Sequence, residues 1–190
     1  MEMSRLLRYL VEALARLGVR YFVTGSVASI SYGDFRSTND IDVVVELRIE
    51  HVEPLCAAFP EPDYYVSVQA VRDAIRRRFQ FNILEPDTGM KVDVMILADS
   101  DFARSCLGRA VLAPIPGGVE AWLSSPEDII LNKLLFFREG RSDKHIRDIA
   151  GVLKIQAERI DRAYILGWVE HFGLHAEWQL AIDRSTIPFP

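Results

Sequence analysis

Cross-linking chemistry is nearly missing from this chain of 190 residues: it has two cysteines, Cys56 and Cys106, with no C-x-x-C or Cys/His spacing around either. A disulfide framework and a zinc site are thereby excluded, and a reduced thiol pair of a cytosolic protein is the expectation. Histidine is scarce too. His171 and His175 have a helical spacing, but Gly173 lies between them and no third ligand follows. No apolar stretch approaches the ~20 residues that a membrane span requires, and Met1–Arg5 opens no signal-peptide core. The expectation is a soluble, cytoplasmic protein without a membrane partner. Positive charge is not in excess, with 22 Lys and Arg against 27 Asp and Glu and a net charge of -5. That balance argues against a broad electrostatic footprint for a long nucleic-acid duplex. Internal repeats and low-complexity linkers are absent as well. What the chain does have is apolar material, 49% of its residues, enough to bury a core as one domain or as a domain with a helical appendage.

The most informative segment runs from Val23 to Glu46, V-T-G-S-V-A-S-I-S-Y-G-D-F-R-S-T-N-D-I-D-V-V-V-E. An apolar strand ends in Gly25-Ser26, a short helical stretch follows, and Asp40-Ile41-Asp42 opens a second apolar strand. Successive side chains of a strand point to opposite faces, so Asp40 and Asp42 share one face while Ile41, Val43 and Val45 take the other. Two like charges beside a buried strand are costly unless neutralised, and two oxygen ligands without nearby Cys or His suit a hard cation such as Mg2+ or Mn2+. The bland alternative is an Asp pair at a solvated strand end. Against it stands the Gly25-Ser26 turn. Ser26 can cap the helix that starts there and leave the first backbone N–H groups facing an anion. A phosphate site and a metal site then lie on one short segment.

With its Gly-Ser turn and D-x-D strand, the segment resembles the nucleotidyltransferase superfamily, the DNA polymerase beta-like fold. The T-G-S-V-A-S-I-S-Y-G form with R-S-T-N-D-I-D after it looks most like minimal bacterial members related to AbiEii-type toxins, although the spacer between the two motifs is longer than in the shortest antitoxin-like members. The resemblance implies an α+β fold, a mixed or antiparallel sheet flanked by helices with a C-terminal helical bundle. It also implies a third aspartate on the strand beside D-x-D. Within K-V-D-V-M-I-L, Val92, Val94 and Ile96 share one face and Lys91, Asp93 and Met95 the other, so Asp93 is the candidate; its alternative is an exposed residue on an edge strand. Arg36, just ahead of D-x-D, either reaches a phosphate or holds the acidic loop together.

Periodicity organises the remainder. A helix over 4–17 with Leu6, Leu7, Leu10, Val11, Leu14 and Leu17 on one face stops at Gly18. Residues 20–23 form a strand, and a helix follows D-x-D near 52–58, closed by Pro60 and Pro62. Val68, Val71 and Ile75 supply the stripe of a helix that carries Arg72, Arg76, Arg77 and Arg78; this is either a local patch for a partner or a solvated face with cations near the C-terminal end. Runs at 79–84 and 91–97 flank E-P-D-T-G-M and should pair antiparallel. Residues 109–115 and 119–123 read as a further hairpin. Ser125-Pro126-Glu127-Asp128 starts a helix with Ser at the N-cap and Pro at its first position, its inward residues Ile129, Ile130, Leu134, Leu135 and Phe137. Helices over 143–155, from Asp161 to Phe172, and over 174–182 complete the chain. The division expected is a catalytic domain at 1–123 and a helical region at 124–190. Trp122, Trp168 and Trp178 fit core faces better than a base-stacking platform.

Lys133 interrupts the apolar string S-P-E-D-I-I-L-N-K-L-L-F-F. Alone it reads as a snorkelling side chain. The resemblance implies instead that its ammonium contacts the triphosphate, and that Asp148 on the neighbouring helix supports it, by pairing with Lys133. Together these residues imply an enzyme that moves NMP from an NTP to an acceptor hydroxyl and releases pyrophosphate. Asp40, Asp42 and Asp93 would be catalytic and metal-binding, while Gly25, Ser26, Arg36 and Lys133 would bind the nucleotide. The acceptor stays open between RNA or protein, as for a toxin with an antitoxin-like partner, and a small molecule such as an antibiotic. A module on this fold that binds a nucleotide or partner without turnover is the remaining alternative.

Overall fold

A computed structural model describes residues 2–32, 40–115, 118–156 and 158–185. Its elements are α1 (Glu2–Arg16), β1 (Tyr21–Thr24), α2 (Gly25–Tyr32), β2 (Asp40–Val45), α3 (Val52–Ala57), α4 (Val68–Arg77), β3 (Gln80–Glu85), β4 (Met90–Ile96), α5 (Asp101–Arg109), β5 (Val111–Ile115), β6 (Val119–Leu123), α6 (Pro126–Gly140), α7 (Asp143–Gln156), α8 (Arg162–Phe172) and α9 (His175–Ser185). The chain forms two compact units, Met1–Val27 with Ser37–Ser124 and Ala28–Arg36 with Ser125–Pro190.

The first unit is built on a six-stranded mixed sheet of order β3-β4-β2-β1-β6-β5. β3 and β4 are antiparallel neighbours, as the turn chemistry of E-P-D-T-G-M requires. β4 runs parallel to β2, β2 antiparallel to β1, β1 parallel to β6, and β5 antiparallel to β6. Strict alternation fixes the register. Ile41, Val43 and Val45 of β2 and Val92, Val94 and Ile96 of β4 are buried together, and a slip by one residue would put six apolar side chains on the wrong face. α1 packs along β4 and β6 and contributes the fully buried Leu6, Leu7, Leu10 and Leu14. At about 25 cal/mol per Å2 each such leucine contributes roughly 2 kcal/mol of burial free energy.

α5 is an element that the sequence pattern does not announce. Its N-cap Ser100 accepts from Ala103 N at 3.1 Å, and its Cys106 joins Phe22 and Leu97 in a small cluster against Val44, Phe102 and Leu107. Phe22 and Val44 are register partners, so α5 covers the sheet face opposite to the Ile41 and Val43 side. Two further expectations are corrected. On α4 the buried residues are Val71 and Ala74, while Val68, the first residue of the helix, is 36% exposed, because a ten-residue helix packed on β3 and α3 buries a narrow stripe. Trp122 is 44% exposed on β6 rather than in the core; its register partner Leu112 is exposed with it, on the outward face of the edge hairpin.

The second unit consists of Ala28–Tyr32 of α2 with α6 to α9, α7 packing on both α6 and α9. Ser125 caps α6 by accepting from Asp128 N at 3.2 Å, with Pro126 at the first position. Asp161 caps α8 by accepting from Tyr164 N at 3.0 Å, and Gly173 ends it at φ +64°. Ile146, Ile149, Val152 and Leu153 face the core of this unit as their spacing demands. α6 is apolar nearly all round, and Leu131 is buried where Leu135 was expected.

Candidate active site

A polar row crosses four strands of the first unit. Asn82 on β3 is the register partner of Asp93 on β4, Asp93 of Asp42 on β2, and Asp42 of Thr24 on β1. Register partners project from the same face of a sheet. The row therefore sits on the face opposite the buried valines, two residues along from the Phe22 and Val44 pair that α5 covers. Asp40 opens β2 opposite Lys91; its side chain is outside the described set, and Arg36 lies outside the described residues altogether.

Asp93 is firmly held. Lys91 Nζ reaches its two carboxylate oxygens at 2.8 and 3.2 Å, and its side chain is 17% exposed against 40% for Lys91. The Asn82 amide, oriented to satisfy both of its ends, donates to Asp93 Oδ1 at 2.8 Å and to Phe81 O at 3.1 Å. Edge-strand exposure, the alternative for Asp93, does not apply: β4 is flanked by β3 and β2.

Gly25 stands at the end of β1 with φ +64°, a conformation that disfavours any residue with a Cβ. A Cβ there would lie 2.0 Å from Asp42 Oδ2 and 2.8 Å from its Cγ. The glycine thus serves the turn and also makes the room in which the Asp42 carboxylate sits. Ser26 lies in the first turn of α2, not outside it as an N-cap, and that turn carries no acidic side chain to repel an anion.

Among the described residues no group of three His, Cys, Asp or Glu side chains converges on one point. What is present fits a hard divalent cation nevertheless. Two carboxylates project side by side from β2 and β4, both offer oxygen ligands, and Gly25 makes the room that the Asp42 carboxylate occupies.

The other expected residues belong to the second unit. Lys133 Nζ donates to Asp148 Oδ2 at 2.6 Å, and both side chains are nearly buried, 8% and 13% exposed. The pairing is thus present; a snorkelling head in water is not. Sequence reasoning missed two buried carboxylates in the first turn of the same helix. Asp128 is fully buried and accepts from Ser125 Oγ at 2.9 Å and Tyr164 Oη at 2.7 Å. Glu127 accepts from Asp161 N at 2.9 Å, and it holds the Tyr32 phenol above its ordinary pKa together with the larger effect of burial. S-P-E-D signals a helix start so strongly that nothing in it marks the two acids as buried.

The arginine helix is largely spoken for. Arg72 pairs with Glu53 at 2.6 Å, Arg76 with Asp73 at 3.5 Å, and Arg78, itself at φ 49°, donates to Leu97 O at 2.9 Å. Two of its four arginines thus pair with acids and a third bonds a backbone carbonyl. No described helix is long and apolar enough to cross a membrane.

No protein-family model matches the chain, and no curated protein matches it in sequence. Solved structures do. A nucleotidyltransferase-like protein from Paracoccidioides brasiliensis is similar at a TM-score of 0.56 and 18% identity, over 96% of this chain and 92% of that one. ANT(2")-Ia in complex with adenylyl-2"-tobramycin is similar at 0.51 and 16%, over 94% and 98%. JHP933 from Helicobacter pylori is similar at 0.51 and 16%, over 97% and 81%. At these identities the likeness establishes the fold: this chain has the α+β nucleotidyltransferase fold, with a mixed sheet flanked by helices.

Proposed function

We propose that this chain is a magnesium- or manganese-dependent nucleotidyltransferase that moves NMP from an NTP to an acceptor hydroxyl. The observation that carries the reading is the register pairing of Asp42 with Asp93 beside Gly25 and the first turn of α2. Asp40, Asp42 and Asp93 would hold the metal ions, which when bound supply Lewis-acid charge neutralisation at the transferred phosphate. Backbone N–H groups at Gly25 and Ser26 would receive the terminal phosphates at the positive end of α2. Asp93 would take the proton of the acceptor hydroxyl as its oxygen bonds to the α-phosphorus and the bond to the pyrophosphate oxygen breaks. For Lys133 and Arg36 the proposed role is to offset phosphate charge, with Asp148 setting the position of the Lys133 ammonium. Positioning and preorganised charge would provide most of the acceleration.

The acceptor proposed first is an RNA or protein hydroxyl, as the resemblance to AbiEii-type toxins implies, with an antitoxin-like partner in a cytoplasmic setting. A small-molecule acceptor is favoured by two observations. The structural neighbour ANT(2")-Ia is bound to an adenylylated aminoglycoside, and among the arginines that a macromolecule would use Arg72 and Arg76 already pair with Glu53 and Asp73, and Arg78 bonds Leu97 O. Incubation with α-labelled and γ-labelled NTP, Mg2+, a cell extract and an aminoglycoside panel tests both. Label from the α-phosphate alone supports transfer, and the labelled species identifies the acceptor class. A protein that binds metal-NTP and labels nothing is a binding module.

A further inference from the structure

In the acidic row of the sheet, Asp42 and Asp93 are adjacent register partners, and their outer neighbours in that row, Thr24 and Asn82, are uncharged. Adjacent carboxylates on a partly buried face repel, and the repulsion must be met by a cation or by protonation. The cation is present in the chain itself. Lys91, two residues before Asp93 on the same strand and therefore on the same face, spans both oxygens of Asp93. Lys91 is also the register partner of Asp40, which puts its backbone opposite the first aspartate of the D-x-D segment. The Asn82 amide meets Asp93 from the other side, so the carboxylate is fixed in orientation while its charge is met by one ammonium. That ammonium stands on a flexible four-carbon stem, 40% exposed, and is able to leave.

We infer that Lys91 is a built-in counter-ion that occupies the Asp93 carboxylate in the metal-free protein and that a divalent cation must displace, so that Lys91 sets the metal affinity of the site. The inference rests on the metal-site reading above. In this account Lys91 is a positioning residue. It keeps the acidic row folded when no metal is bound, and it weakens binding of a bare cation.

The test uses Mn2+ alone, without nucleotide, titrated by electron paramagnetic resonance and by calorimetry into wild type, Lys91→Met and Lys91→Arg. Lys91→Met keeps the apolar stem and removes the charge. It should bind Mn2+ about two- to fivefold more tightly, the factor equivalent to a partly exposed ion pair. Lys91→Arg keeps the charge and should bind no more tightly than wild type. Metal-free Lys91→Met should also melt at a lower temperature, and saturating Mn2+ should raise its midpoint by more than it raises that of wild type. Equal or weaker Mn2+ binding by Lys91→Met, with wild type binding, overturns the inference and leaves the metal site standing. Absence of Mn2+ binding in all three proteins, each folded by circular dichroism, overturns the metal reading and this inference with it. Should Lys91→Met fail to fold, Lys91→Gln carries the same comparison.

Discussion

The Gly25 backbone lies against the Asp42 carboxylate so closely that a methyl group on Gly25 would stand 2.0 Å from Asp42 Oδ2. Two separate costs therefore attach to Gly25→Ala. One is the positive φ, and the other is the collision with a side chain that the strand register holds in place. Together they should lower stability by about 2–4 kcal/mol. In an Asp42→Ala background the contacts at 2.0 and 2.8 Å disappear, only the one at 3.0 Å to Cβ stays, and the cost should fall toward the backbone part, about 1–2 kcal/mol. Urea denaturation of the four proteins of this cycle measures the difference. Equal costs in both backgrounds would show that Gly25 serves the turn alone.

Lys133 and Asp148 form a buried ion pair whose members are worth little apart. Asp148→Asn removes the carboxylate that accepts from a nearly buried ammonium and should destabilise the chain by about 3 kcal/mol, whereas the double change Lys133→Met with Asp148→Leu should recover most of that loss. If Lys133 also meets the triphosphate, Lys133→Met should weaken NTP binding far more than NMP binding. Equal loss for both nucleotides, or none, assigns Lys133 to structure only.

Ser125 is both the cap of α6 and a hydrogen-bond donor to the fully buried Asp128. Ser125→Ala should cost about 1–2 kcal/mol, near the upper end for an N-cap because a buried carboxylate loses a partner. Ser125→Thr should restore most of it. Thermal denaturation of the pair measures both, and a Thr variant no better than Ala would contradict the assigned roles of the hydroxyl.

Burial pushes the Cys56 thiol above its ordinary pKa, and the nearby Glu53 charge adds to the shift while Arg72 opposes it. A raised pKa means less thiolate at any given pH, so alkylation at pH 8 should be slower than for free cysteine and should climb to its plateau at higher pH. Arg72→Ala should slow it further. Cys106, 2% exposed, should stay unlabelled until the chain unfolds, so the early signal reports Cys56. A Cys56 rate equal to that of free cysteine at pH 8 would contradict the shift.

Much of this molecule is legible from local pattern because its strands obey strict alternation and its helices carry their caps in plain view. Val92, Val94 and Ile96 announce β4 and turn Asp93 to the other face. Ser125, Asp161 and Gly173 mark helix ends by chemistry that needs no tertiary context. α5 escapes such reading because D-F-A-R-S-C-L-G-R buries little beyond Cys106, too narrow a stripe to show as periodicity. The placement of Ala28–Tyr32 with the helices of the second unit escapes it too, since no local signal says which core a short apolar helix will join. At the site, the faces of Asp42 and Asp93 follow from alternation, but their direct opposition does not. It depends on β2 and β4 becoming parallel neighbours, a pairing of residues about fifty apart in the chain. The Lys91 and Asn82 contacts to Asp93 depend on that same register and on β3.

If Asp42 and Asp93 form the proposed metal-dependent nucleotide site, calorimetry of NTP binding with and without Mg2+ will show it. Wild type should bind NTP more tightly with Mg2+ than without. Asp42→Asn and Asp93→Asn should each remove most of that gain while remaining folded, since loss of one charge relieves repulsion in the metal-free row. Equal NTP affinity with and without Mg2+ in all three proteins would contradict the account.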